Sequence, residues 1–226
     1  MGNRDFKDQV YAQVARVGKA LASPARLELL DLLSQGERSV EDLAREAQLS
    51  MANTSAHLRV LSQARLVAGH KQGLYVYYRL ADPVVYRLWA ALRETGQQRL
   101  AEIDQLVAIY LQGRQGLEAV SREQLQERLA DLSTVVLDVR PALEYRQGHI
   151  AGARSIPVDE LQARLEELDP ACTMVAYCRG PYCVFADEAV TLLRSRGFTA
   201  ARYEEGYPEW AAAGLPVERG DLLVGA

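Results

Sequence analysis

The sequence predicts two domains of different class: a mainly α amino-terminal domain closed by a two-stranded hairpin, and an α/β carboxyl-terminal domain with a mostly parallel sheet. Three observations point there. Helix caps and short turns crowd residues 11–63. An apolar run at 173–177 leads through Gly180 and Pro181 into a helical pattern, so a strand, a turn and a helix follow one another. The charge is also divided: residues 1–115 hold 15 Lys+Arg against 12 Asp+Glu, and the rest hold 11 against 18. A basic front half joined to an acidic back half implies that only the front meets a polyanion.

Length and composition bound the answer. At 226 residues, with 49% hydrophobic and 25% charged residues, the chain has the composition of an ordinary soluble protein of one or two domains. Residues 1–10 are polar and lack the apolar core of a signal peptide, and no apolar run approaches the roughly 20 residues that span a bilayer. A cytoplasmic protein with no membrane partner is expected. The stretch 112–116, Gln-Gly-Arg-Gln-Gly, has no apolar residue and reads as the linker, giving domains at 1–112 and 117–226.

In the front half, Ser23-Pro24 before an apolar-periodic run reads as an N-cap with proline at the first helical position. Ser39 caps the next helix, with Asp42 placed three residues on as in a capping box. A short turn through Gln48 and Leu49 brings a third cap at Ser50. The helix it starts, 51–63, is expected to bury Leu58 and Leu61 and to expose Asn53, Thr54, Ser55, His57 and Arg59. Two helices joined so tightly, the second rich in small polar side chains, suit a helix-turn-helix that sets donors and acceptors against base edges, although a plain helical hairpin has the same pattern. Residues 66–80 then alternate around Gln72-Gly73 as two strands, a wing.

With Ala22-Ser23-Pro24-Ala25-Arg26 and Ser55-Ala56-His57-Leu58-Arg59-Val60-Leu61, residues 14–82 resemble the ArsR-type winged-helix repressors. The resemblance implies a double-stranded DNA operator as partner. It makes Asn53, Ser55, His57 and Arg59 candidate contacts from the helix and Lys71 one from the wing; a lone His57 also suits helix packing. The chain departs from the usual Ala-Gly-Leu-Val at the helix end, where it has Ala64-Arg65-Leu66-Val67, so Arg65 is expected to carry an unfavourable backbone angle or a phosphate contact. Members of the family sense metals through cysteines ahead of the recognition helix or His and acidic ligands on the last helix. Residues 39–49 have no cysteine and 83–112 no histidine, while Glu94, Glu102 and Asp104 read as solvent-facing charges, so neither a metal site nor a cofactor is expected. Residues 83–111 carry one apolar stripe through Val85, Leu88, Leu92, Ile103, Leu106, Val107 and Tyr110, read as a single long helix. In the family that helix pairs with the first to form a homodimer, which a two-fold operator requires.

In the back half, Cys178 stands where the strand ends and the turn begins. A loop entering a helix from a strand's carboxyl end aims free N–H groups and the positive end of the helix dipole at its mouth. Such surroundings pull a thiol from about 8.5 to roughly 3.5–7.5, so Cys178 is expected to be a thiolate and a nucleophile. A buried structural cysteine fits the same pattern. Cys172, Cys178 and Cys183 are too few and too clustered for a secreted disulfide scaffold and read as working thiols, with Cys172 at a buried strand edge.

Four motifs around this loop resemble a rhodanese (sulfurtransferase) domain: Leu137-Asp138-Val139-Arg140 with Glu144; Gly148-His149-Ile150-Ala151-Gly152-Ala153-Arg154-Ser155-Ile156-Pro157; Cys178-Arg179-Gly180; and Glu205-Gly206-Tyr207-Pro208-Glu209-Trp210 followed by Gly214-Leu215-Pro216-Val217. The resemblance implies a sulfane sulfur carried as a persulfide on Cys178 and passed to a thiophilic acceptor. Related phosphatase loops follow a Cys-x5-Arg pattern, with the arginine six positions after the cysteine, where this chain has Val184. Arg179 is expected to hold an anionic donor or thiolate and Gly180 to turn its N–H inward. Tyr182, Asp138 and Arg140 support the loop, and Cys183 is placed to attack the outer sulfur and give a bridged or disulfide form. The expected protein is a DNA-binding regulator that senses a sulfane-sulfur donor. The alternatives are a sulfurtransferase that DNA binding merely localises, and a rhodanese fold used for docking.

Overall fold

The computed structural model describes residues 3–129 and 133–220, so the outermost residues of both expected domains lie outside the described ones. The chain divides into two compact units, residues 1–94 and 95–226.

The first unit opens with α1 (Asn3–Leu21), α2 (Pro24–Ser34), β1 (Arg38–Ser39), α3 (Val40–Glu46) and α4 (Met51–Gln63). The caps fall where small polar side chains can satisfy free N–H groups. Ser39 Oγ accepts from the Asp42 amide and Ser50 Oγ from the Asn53 amide, at 3.0 and 3.2 Å. Asp42 does not complete a capping box; its carboxylate instead accepts a hydrogen bond from the Ser39 hydroxyl, at 2.8 Å. The wing follows as β2 (Val67–Gln72) and β3 (Tyr75–Leu80), antiparallel and closed by Gly73, whose φ of 61° suits the tight connection. The two expected strands gain a third, because β1 pairs with β3 and gives the order β1-β3-β2. Leu29, Leu30, Leu43, Leu58 and Leu61 are fully buried at the centre of this unit.

The single helix expected over 83–111 is two, α5 (Pro83–Arg99) and α6 (Ala101–Tyr110). Leu100 between them is extended, at φ −114° and ψ 96°, which interrupts the helical hydrogen bonds. No residue of α6 is buried. Beyond a 3₁₀ turn at Gln112–Gly116 the second unit continues as β4 (Ala119–Val120), α7 (Arg122–Leu129), β5 (Thr134–Asp138), α8 (Ala142–Gln147), β6 (His149–Ile150), β7 (Arg154–Ser155) and α9 (Val158–Leu161). It ends with β8 (Thr173–Cys178), α10 (Phe185–Ser195), β9 (Ala200–Gly206), α11 (Tyr207–Ala212) and β10 (Val217–Glu218).

Five strands form a parallel sheet in the order β4-β9-β8-β5-β7. β8 lies at its centre, which is why its sequence is an unbroken apolar run. Side chains alternate between faces. Met174, Ala176 and Cys178 join the core with Ala189 and Leu193 of α10, whereas Val175 and Tyr177 pack with Leu125 of α7 and Trp210 of α11. This alternation puts the Cys178 sulfur on the α10 side. Among the described residues no helix is long and apolar enough to cross a membrane.

Candidate functional site

Cys178 is the last residue of β8, at the carboxyl edge of the sheet, and pairs with Gly206 of β9 just after an irregularity in the register. The chain leaves through Arg179 and Gly180 and re-enters order at Val184, which precedes α10 with no side-chain cap. The uncapped first turn therefore keeps N–H groups for the loop. The Cys178 thiol donates to the Gly180 carbonyl at 4.0 Å. Backbone groups of Gly180 and Ala186 favour the charged form of Cys178, and those of Arg179 and Phe185 that of Cys183. The two thiols are neighbours and form no disulfide.

The sulfur pulled toward the charged form is Cys183, not the Cys178 expected. Burial pushes the Cys178 thiol well above the usual cysteine range, and the neighbouring Cys183 pushes it further; only 2% of Cys178 is exposed. Cys183 is pulled down, first by the hydrogen bond from Cys178 and then by the Arg179 and Phe185 amides and the Arg179 charge. The less buried sulfur is the more readily ionised of the two, because desolvation disfavours the charged form more strongly at Cys178. Cys183 lies two residues before α10, and Cys172 is half-buried one residue before β8.

The supporting residues are held firmly. Arg140 and Asp138 form an ion pair with both side chains fully buried, at 2.6 Å, and the Tyr177 hydroxyl donates to the same carboxylate. Arg140 also donates to the Gly148 carbonyl and lies over the Tyr177 and Tyr207 rings. Arg179 lies on Glu144, with Nε and Nη2 at 2.9 and 2.6 Å from Oε1, and over the Phe185 ring. Its charge thus reaches Cys183 from a fixed position. Tyr182 stands 43% exposed at the rim. Missed from sequence was Arg114, from the presumed linker, which donates to the Pro181 and Cys183 carbonyls and to Asp187. Among the described residues no group of three or more His, Cys, Asp or Glu is placed to hold a metal.

On α4, Asn53, Ser55 and Arg59 are exposed and His57 is half-buried. Thr54, expected to be exposed, is fully buried, its hydroxyl satisfied by the Ser50 carbonyl at 3.1 Å. The four candidates do not make one patch. At helical spacing Ser55 and Arg59 flank one side of the outward face and Asn53 and His57 the other, with exposed Ala52 and Ala56 between them. Those small side chains would let the helix backbone approach a groove closely. Lys71 is exposed on the wing, and Leu74 at its tip is 92% exposed. Arg65 has φ 60°, the left-handed angle expected of it.

The model of the bacterial regulatory protein, arsR family, matches residues 23–68, and that of the rhodanese-like domain matches 121–213. HTH-type transcriptional regulator Rv0324 of Mycobacterium tuberculosis is 42% identical over 219 residues, covering 97% of this chain and 96% of its own length. The chain belongs to the ArsR family of bacterial transcriptional regulators. It is of the form that carries a rhodanese-like domain after the winged helix-turn-helix. Transcriptional repressor SdpR of Bacillus subtilis is 36% identical over 69 residues, 30% of this chain and 77% of its own. A homodimeric winged helix-turn-helix DNA-binding domain from Mycobacterium bovis is 42% identical, covering 44% of this chain and 93% of its own at a TM-score of 0.42.

Proposed function

We propose that this ArsR-family regulator binds its operator as a homodimer in the cytoplasm and senses sulfane sulfur through the Cys178/Cys183 pair. The observation that carries the reading is the pair itself: two neighbouring free thiols in the loop between the carboxyl edge of the sheet and the uncapped start of α10, in a chain whose other half is a DNA-binding domain. Cys178 is the carrier and Cys183 its base. Cys183 takes the Cys178 proton as the Cys178 sulfur attacks the outer sulfur of a hydropersulfide, R–S–S–H. The S–S bond of the donor breaks, R–S⁻ leaves with the electron pair, and Cys178 becomes a hydropersulfide whose outer sulfur the loop N–H groups can hold. Cys183, once deprotonated, attacks the inner sulfur rather than the outer one expected from sequence, since only that attack closes a Cys178–Cys183 disulfide and expels hydrosulfide; the donor sulfur is reduced as the two thiols are oxidised. A dimer is favoured by the apolar face of α1, where Phe6, Val10, Tyr11 and Val14 are all exposed, and by Leu106, Ile109 and Tyr110 of α6.

The test is operator binding with and without an organic polysulfide, for wild type and Cys178→Ser. The reading expects the donor to change wild-type affinity and to leave Cys178→Ser unaffected; an equal response in both would place the sensing thiol elsewhere. Turnover of thiosulfate and cyanide with no effect on DNA would favour a sulfurtransferase instead.

A further inference from the structure

The segment leading from α6 to β4 reads as a featureless connection, yet one of its side chains reaches the sulfur loop. Arg114 donates through Nη1 to the Pro181 carbonyl at 2.6 Å and through Nη2 to the Cys183 carbonyl at 2.9 Å. Its Nε and Nη2 also meet Asp187 Oδ2 in the first turn of α10, at 2.9 and 2.7 Å. The Cys183 amide donates to the Gly180 carbonyl at 3.1 Å. With its N–H and its carbonyl both tied, Cys183 has only side-chain rotation left with which to aim its sulfur.

A second arginine completes the arrangement. Arg202 stands on β9 opposite Ala176 of β8, and its Nε is 3.5 Å from Asp187 Oδ1. Neither of those two atoms has a hydrogen-bond partner, so the contact is one of charge alone. Two guanidiniums thus face one carboxylate, with all three side chains between 13% and 14% exposed. Burial and Arg114 pull Arg202 below the usual arginine range, and Asp187, Glu204 and Cys178 oppose this, so the two arginines are balanced by two carboxylates as well as facing the cysteine loop.

We infer that Arg114 is a positioning residue for the sulfur pair: it fixes the Cys183 backbone from the segment that follows α6 and sets a cation beside the loop. This rests on the reading of the loop as the sulfur site. An arginine is needed because one flat fork serves two carbonyls and a carboxylate together, which an ammonium group cannot.

The experiment alkylates the reduced full-length protein with iodoacetamide, whose iodide the thiolate displaces, and follows Cys183 by peptide mass against pH. Removing the cation in Arg114→Met should move the profile to higher pH and slow alkylation at pH 7 by about threefold or more. Arg114→Lys should keep the profile near wild type while amide exchange at residues 181–184 quickens. A wild-type profile in Arg114→Met, with at most a lower melting temperature, would reduce Arg114 to a structural tie and overturn the inference. Should Arg114→Met not fold, unchanged exchange in Arg114→Lys would overturn it as well. The wild-type sample is also treated with an organic polysulfide. Failure to take up sulfur there removes the sulfur reading, while the iodoacetamide profile still decides the role of Arg114.

Discussion

Gly206 lies directly against the backbone of the sulfur loop, opposite Cys178 in the sheet: a Cβ there would stand 2.5 Å from the Gly180 amide nitrogen and 2.7 Å from the Cys178 carbonyl oxygen. Both neighbours are main chain, so they cannot swing away. Gly206→Ala should cost about 1–3 kcal/mol in unfolding of the carboxyl-terminal domain, by displacing the loop. It should also slow sulfur loading at Cys178. Gly113→Ala, with open space at its Cβ, should stay within about 0.5 kcal/mol of wild type. Equal denaturant midpoints for the two variants would contradict the close approach.

Arg65 occupies the left-handed region at the end of α4, with φ 60°. A side chain there costs of the order of 1 kcal/mol relative to glycine. Arg65→Gly should therefore raise the urea midpoint of the amino-terminal domain. Operator affinity measured on the same variant separates the backbone effect from the charge: a fall in affinity alongside higher stability means that Arg65 also meets phosphate.

Much of the fold is legible in the sequence where the cause is local. The ends of α4, the caps at Ser39 and Ser50 and the turn at Gly73 follow from short-range hydrogen bonds and backbone angles, and β8 from its apolar run. What escapes has tertiary causes. Thr54 is polar, yet satisfies its hydroxyl within its own helix and can be buried. The apolar stripe runs through Leu100, so periodicity alone hides the break between α5 and α6. Cys183 ionises more readily than Cys178 because burial, which no motif displays, outweighs the backbone groups around Cys178. Arg114 looks like a linker charge because its partners lie 67 to 73 positions away.

For the DNA-binding half, Arg59→Ala and Lys71→Ala should each weaken operator binding and make its salt dependence shallower by roughly one unit per lost phosphate contact. Ser55→Ala, one helical turn before Arg59, should change sequence preference more than salt slope if it faces a base edge. Unchanged affinity and slope in Arg59→Ala and Lys71→Ala would remove the proposed docking of helix and wing.

The coupled thiols make a pH prediction. A depressed pKa means ionisation at lower pH, so Cys183 should reach half its maximal alkylation rate below the ordinary cysteine value of about 8.5, and Cys178 well above it. In Cys183→Ser the neighbouring thiolate that raises Cys178 is gone, so the Cys178 profile should move down. Coincident profiles for the two cysteines in wild type would mean that they do not share a proton.

The measurement that bears most directly on the central claim is peptide mass after treatment with a sulfane donor. Wild type and Cys183→Ser should both load the peptide holding Cys178. The variant should keep an open persulfide, heavier by about 32 mass units per sulfur, while wild type proceeds to the Cys178–Cys183 disulfide and releases hydrosulfide. Cys178→Ser should gain nothing. Equal, persistent adducts in wild type and Cys183→Ser would leave Cys183 as packing only, and labelling that survives in Cys178→Ser would contradict the account outright.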